Sequence, residues 1–189
     1  MLNIIAGTLS VGVTPSTSSY ESIATVTVGS GGQADVEFTS IPSGFEHLQI
    51  RVLSRDTKSA NSNNFITRMN GDTASNYSIH ILYGNGSSSA LAYGEANSTY
   101  AIGGSETSAS ATASIFGVAI IDILDYDNTN KYKTLRSLSG NDRNGAGDMR
   151  FYSGAWRNTN AITSLKFTPE SSGNFAQYSS FALYGIKGA

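Results

Sequence analysis

Asp125, Asp127 and Asn130 stand close together in "DYDNTN" and offer side-chain oxygens that could turn toward one cation. The twelve-residue calcium loop, however, needs a central Gly and a closing Glu, and here Arg136 occupies the Glu position. The competing reading is a turn in which Asp and Asn bond their own backbone. Histidine offers little more. His47 and His80 are the chain's two histidines and cysteine is absent, so a zinc site of three or four such ligands is not supported, and both read as strand residues. The sequence therefore implies no cofactor.

Catalytic patterns are equally thin. Serines are abundant, yet none sits in a G-x-S-x-G elbow; "GGSET" at Gly103 matches only its start. A glycosidase would need two carboxylates facing across a cleft. Asp122 is the acid with an unusual setting, in phase with Phe116, Val118, Ile120 and Leu124. A half-buried acid can have a raised pKa, but a strand carboxylate bonded to an amide or an Arg is the commoner arrangement. No residue is assigned a catalytic role, and the expectation is a non-enzymatic protein.

Aromatic residues can stack on sugars. Tyr152 and Trp156 share one face of a strand pattern, which points to packing. Tyr83, Tyr93 and Tyr100 lie near loops and are the candidates for contact with an outside partner, such as a host surface glycan. The N-x-S/T sequences at Asn76, Asn85 and Asn97 are what chance produces in so Asn- and Ser-rich a chain.

These residues need a scaffold, and 189 residues are enough to bury a core without disulfide or metal staples. Asp, Glu, Lys and Arg make up 14% of the chain and the net charge is −2, against a usual charged fraction of about 25%. Such a surface gives no electrostatic footprint for nucleic acid or an anionic membrane. Solubility must come from Ser, Thr, Asn and Gly.

Helical periodicity is almost absent, while period-two alternation recurs. "YESIATVTVG", "ADVEFTSIP" and "FEHLQIRVLS" put Val26, Val36, Phe38, Leu48, Ile50 and Val52 on inward faces. Asn70-Gly71 predicts a tight turn between a strand ending near Met69 and one carrying Tyr77, Ile79, Ile81 and Tyr83. From Gly84 to Ala113 the chain reads as a long exposed excursion with one or two weak strands. "SIFGVAIIDIL" reads as a central strand buried on both faces. "KYKTLRSLSG", "DMRFYSGAWR", "AITSLKFTP" and "YSSFALYGIKG" complete about eight to ten strands. The fold class predicted is an all-β, antiparallel, jelly-roll-like β-sandwich with an N-terminal arm, its last strand pairing beside an early one.

Residues 1–19 read as arm and linker, and residues 20–189 as one sandwich domain. The opening "MLNIIAGTLSVGV" has no Lys or Arg before its apolar stretch and is broken by "GTLSVG", so neither an export signal nor a membrane span is supported. Leu2, Ile4, Ile5, Leu9, Val11 and Val13 instead read as an apolar arm that pairs with the domain itself, with a sister subunit or with a larger assembly; as a particle-attachment arm it would add a strand or an apolar wedge to its neighbour.

"SYESIATVTVGSGGQADVEFTSIPSGFEHLQIR", "NGDTASNYSIHILYGNGSSS", "AIIDILDYDNTNKYKTLRSLSG" and "YSSFALYGIKG" together resemble small virion proteins encoded by tailed bacteriophages, including those of marine bacteria. The resemblance runs from Ser19 to Gly188. It implies a sandwich used as a building block on the phage particle, commonly as a homotrimer, with other capsid or tail proteins as partners. It brings no catalytic residue. The absence of a repetitive shaft favours a decorating subunit of the virion surface over a long fibre, with a receptor- or glycan-binding module at the tail as the alternative.

Overall fold

The computed structural model describes residues 19–87 and 89–188. The arm residues Leu2, Ile4, Ile5, Leu9, Val11 and Val13 lie outside them. The chain forms twelve strands, and no helix occurs among the described residues. In order they are β1 (Tyr20–Thr27), β2 (Val36–Phe38), β3 (His47–Ser54), β4 (Ser62–Met69), β5 (Tyr77–Gly84) and β6 (Leu91–Ser98). There follow β7 (Ala101–Thr107), β8 (Gly117–Leu124), β9 (Lys133–Asp142), β10 (Gly147–Trp156), β11 (Leu165–Pro169) and β12 (Ser180–Ile186).

The strands divide into an eight-stranded sheet, β1-β12-β3-β8-β9-β10-β5-β6, and a four-stranded sheet, β2-β11-β4-β7. All the ladders within the sheets are antiparallel, and the sheets pack face to face as a β-sandwich. The closing strand β12 pairs with both β1 and β3, so the last strand does complete the sheet beside early ones.

Alternation explains the core. Leu48, Ile50 and Val52 from β3 point inward with Ile121 and Ile123 from β8, Leu135 from β9 and Leu183 from β12. The small sheet contributes Val36, Phe38, Phe65, Met69, Leu165 and Phe167. Phe65 sits edge-on to Phe167, Phe175 and Phe181, with ring centroids 6.0–6.3 Å apart, the geometry that aligns ring edges with ring faces. Tyr152 and Trp156 are buried, and Trp156 stacks on Tyr77 at 6.5 Å.

Two local expectations are corrected, and a third, the turn at Asn70-Gly71, is met with an added detail. The stretch 84–113 holds two strands of opposite character: β6 is exposed from Leu91 to Asn97, but every residue of β7 is buried. Its small residues signify close packing instead of a loop. A β-carbon placed on Gly103 would lie 2.5 Å from the Phe65 ring, and one on Gly104 would lie 2.9 Å from both Ala119 and that ring. Strand β8 is buried on one face alone, because Val118 and Ile120 point outward from the large sheet. Asn70 and Gly71 both take positive φ as a tight turn requires, yet β4 and β5 do not pair; the turn carries the chain from the small sheet to the large one.

Gly103→Val is expected to destabilise the protein by about 2–3 kcal/mol or more through overpacking against Phe65. Gly84→Ala, at a site with open space around the new methyl, is expected to be nearly neutral, and urea denaturation of the two variants checks the contrast.

Candidate functional site

The eight-stranded sheet is wider than its partner, so strand alternation gives it two exposed regions of different chemistry. On its outer face, cross-strand registers align Arg51, Ile120, Leu138, Phe151 and Leu82 in one row. The next row aligns Leu53, Val118, Gly140, Met149 and Gly84. The apolar members, Leu53, Leu82, Val118, Ile120, Leu138, Met149 and Phe151, are 43–65% exposed. They form one apolar belt. Because Gly140 and Gly84 carry no side chains, the second row sinks into an open trough of about 1050 Å³ walled by Val118, Ile120, Leu138 and Met149. A smaller depression of about 410 Å³ lies over Gly94, beside His80, Leu82 and Phe151.

A third row on this face is polar, aligning Tyr184, Gln49, Asp122, Arg136, Ser153 and His80. Asp122 accepts hydrogen bonds from Gln49 Nε2 at 2.9 Å and from Arg136 Nε at 3.3 Å. It is thus a cross-strand carboxylate with ordinary partners. Exposed pairs of this kind contribute little stability.

The inner face of β5 and β6 extends beyond the small sheet and makes a shelf. Registers place Tyr83 opposite Leu91, Ile81 opposite Tyr93 and Ile79 opposite Glu95, so Tyr83 and Tyr93 are diagonal neighbours on one face. Tyr100 comes from the turn before β7 and donates its hydroxyl to Glu170 Oε1 at 3.1 Å. Burial first, then the charge of Glu170, pushes the Tyr100 hydroxyl up to about 12. Tyr93 donates to Glu95 Oε2 at 3.0 Å, which raises its pKa as well. Both phenols remain protonated donors at neutral pH. The three tyrosines picked out in the sequence therefore meet in one place, together with two carboxylates.

The shelf is anchored from the interior. Asp148 is buried and takes a two-pronged ion pair from Arg150, with Nε at 3.1 Å and Nη2 at 3.2 Å. Asn141 Nδ2 and Ser105 Oγ also donate to it, and Arg143 lies 4.0 Å away. Arg150 in turn lies over the Tyr83 ring at 4.8 Å and donates to Asn64 Oδ1 at 2.8 Å. Asn64 Nδ2 donates to Glu170 Oε2 at 2.7 Å. A continuous polar chain thus runs from Asp148 to Tyr100. Sequence reasoning missed Asp148, Arg150, Asn64, Glu95 and Glu170, since nothing in their spacing brings β4, β6, β10 and the segment after β11 to one corner.

The "DYDNTN" segment forms a turn, with Asn128 N donating to Asp125 O at 3.1 Å. Within it the Asp125 amide donates to His47 Nδ1 at 3.1 Å and the Asp125 carboxylate holds Lys131 at 2.8 Å, which keeps its pKa low. Glu46, His47 and Asp125 do bring donor atoms within 4.8 Å of one another. A lysine already occupies that carboxylate, however, and the His47 Nδ1 lone pair is taken.

No protein-family model, curated protein or solved structure matches the chain. Among the described residues, no helix is long and apolar enough to cross a membrane.

Removing the shelf's anchor is expected to be costly. Asp148→Ala leaves the Arg150 guanidinium half-buried without its carboxylate, for a loss of about 3 kcal/mol measured by urea denaturation. Asp148→Asn, which keeps an acceptor oxygen, is expected to lose less.

Proposed function

We propose that this protein is a non-enzymatic structural subunit that works by packing its faces against other proteins, as a decorating subunit on the surface of a bacteriophage particle. The observation that carries the reading is the outer apolar belt. Taking about 200 Å² for a fully exposed side chain of this size, the seven residues present roughly 700 Å² of apolar surface. That exceeds the ~300–600 Å² of the largest patch on a typical monomer and approaches the ~800 Å² that each partner gives to a standard interface. Its occupant is a second copy of this chain. The belt is nearly charge-free and the whole chain carries a net charge of −2, so copies meet without strong repulsion. The resemblance of the sequence to phage virion subunits supports the same reading, with residues 1–13 as the contact to the particle.

Two variants separate these contacts. Leu138→Lys puts a charge in the middle of the belt and is expected to convert an oligomer to a monomer in sedimentation velocity without loss of fold by circular dichroism. Deletion of residues 1–13 is expected to leave the oligomer intact and abolish binding to the particle. A native chain that sediments as a monomer at all accessible concentrations would sink the proposed belt interface.

The second reading is a glycan-binding module, favoured by the convergence of Tyr83, Tyr93 and Tyr100 with Glu95, Glu170 and Arg150. Aromatic faces with acid and guanidinium partners suit a polyol ring. Binding to a glycan array that is lost in Tyr93→Ala and Tyr100→Ala is the expected signature, and an array without any hit counts against it.

A further inference from the structure

Away from belt and shelf, Ser54, Asp56, Glu106 and Ser108 are all within 1% of complete burial. Their backbones meet at a parallel bridge between Arg55 and Thr107, where Asp56 N donates to Thr107 O at 2.9 Å. Side chains flanking a bridged residue share the face opposite to it. The bridge therefore sets Ser54 beside Glu106 and Asp56 beside Ser108, a square of two carboxylates and two hydroxyls.

The hydrogen bonding of this square is incomplete. Asp56 is served, accepting from Asn63 Nδ2 at 2.7 Å and from Lys58 N at 3.3 Å. Neither carboxyl oxygen of Glu106 makes a close hydrogen bond among the described residues; the Ser54 hydroxyl approaches Glu106 and the Ser108 hydroxyl approaches Asp56, and each offsets only part of the burial of its acid. The Lys58 ammonium is spent on Asn63 Oδ1 and Ser171 Oγ, at 3.2 and 2.6 Å. Burial, and then the charge of Asp56, pushes the Glu106 carboxyl well above the usual range, and burial raises Asp56 too. Two ionised carboxylates here would each cost several kcal/mol without compensation.

One proton would neutralise one acid and leave the other charged beside it, whereas a divalent cation neutralises both and takes carboxylate and hydroxyl oxygens together as ligands. We propose that Ser54, Asp56, Glu106 and Ser108 form an internal cation site that binds calcium. The donor set decides the metal: it is all oxygen, with two carboxylates and no imidazole or thiolate, which suits a hard cation and disfavours zinc. Backbone carbonyls or water would complete the six to eight oxygens calcium prefers. The site ties β7 to the segment after β3, so bound metal stabilises the junction between the two sheets.

The test uses the full chain, stripped with EDTA and then titrated with calcium chloride. At a hundredfold excess over the dissociation constant, the melting temperature is expected to rise by about 5 °C or more. Calorimetry is expected to show a bound ion that is retained in Asp125→Asn, where the surface cluster is altered, and lost in Glu106→Gln and Ser108→Ala. The proposal is overturned if calcium leaves the native melting temperature unchanged while Glu106→Gln is more stable than the native chain at pH 7. That pair of results means Glu106 is simply a protonated acid: its raised folded pKa makes stability fall as pH rises above its unfolded value, a loss the amide escapes. It is overturned equally if the ion is lost in Asp125→Asn and kept in Glu106→Gln.

Discussion

An eight-stranded sheet cannot be covered by a four-stranded one, and the organisation of this molecule follows from that mismatch. At roughly 4.8 Å per strand the large sheet is about twice as wide as the small one. Where the two overlap, the Phe65, Phe167, Phe175 and Phe181 cluster closes a dry core. Where they do not, side chains of one sheet face have no opposing layer. Strand β7 eases the mismatch by packing against β3, β5, β8, β9 and β10 together. This breadth requires a thin strand, and Gly103 and Gly104 allow the approach by leaving room for the Phe65 ring. Beyond β7 the sheet edge is bare, and the tyrosine shelf occupies it.

Toward that edge the interior changes from apolar to polar. Asp148 and Arg150 satisfy each other in a bidentate pair, and Asn141, Ser105 and Asn64 complete their hydrogen bonds. Lys133 solves a similar problem differently. It is fully buried, yet its ammonium donates to the carbonyls of Asn128, Lys131 and Thr159, fastening the turn before β9 to the loop after β10. Burial lowers its pKa, but three carbonyl dipoles replace the water it lost. Replacing such groups by apolar ones of equal volume need not destabilise the fold, whereas removing one partner leaves the other stranded. Against these satisfied groups, Glu106 stands out as a buried acid whose oxygens make no close hydrogen bond among the described residues, with the Ser54 hydroxyl offsetting only part of its burial.

Alternation made the inward faces of β2 and β3 legible in the sequence, because one wet face and one dry face produce a period of two. The closure of the sheet by β12 was legible for a related reason: a terminal strand pattern needs a neighbour. Alternation failed where both faces have the same polarity. Val118 and Ile120 are as apolar as Ile121 and Ile123, so pattern alone could not tell which face of β8 lacks a partner. Composition failed at β7, since glycine and serine mark both flexible loops and the closest packing. Asn70-Gly71 announced its turn but not that the flanking strands would enter different sheets. The tyrosines were found from their position near loops; the acids and arginine around them were not, because contacts between Asn64, Arg150 and Glu170 exist only after three distant segments fold together. The square of Ser54, Asp56, Glu106 and Ser108 was equally hidden, for it depends on a single parallel bridge.

Successive residues of β5 point to opposite faces, and this sets how the two surfaces can be used. Leu82 belongs to the outer belt and Tyr83 to the inner shelf, though they are adjacent in the chain. A copy packed through the belt would bury Leu82, Leu138 and Phe151 while leaving Tyr83, Tyr93 and Tyr100 on the other side of the same sheet. A contact made through the belt and one made through the shelf would therefore not compete for area. The backbone of β5 and β10 nevertheless joins them: Phe151 lies in the belt, and its neighbours Arg150 and Tyr152 hold the shelf through Asn64. Packing that fixes Phe151 would also restrain Arg150, and with it the face of Tyr83. An assembled subunit would thus present a stiffer shelf than a free one, lowering the ordering cost of any ligand that binds there.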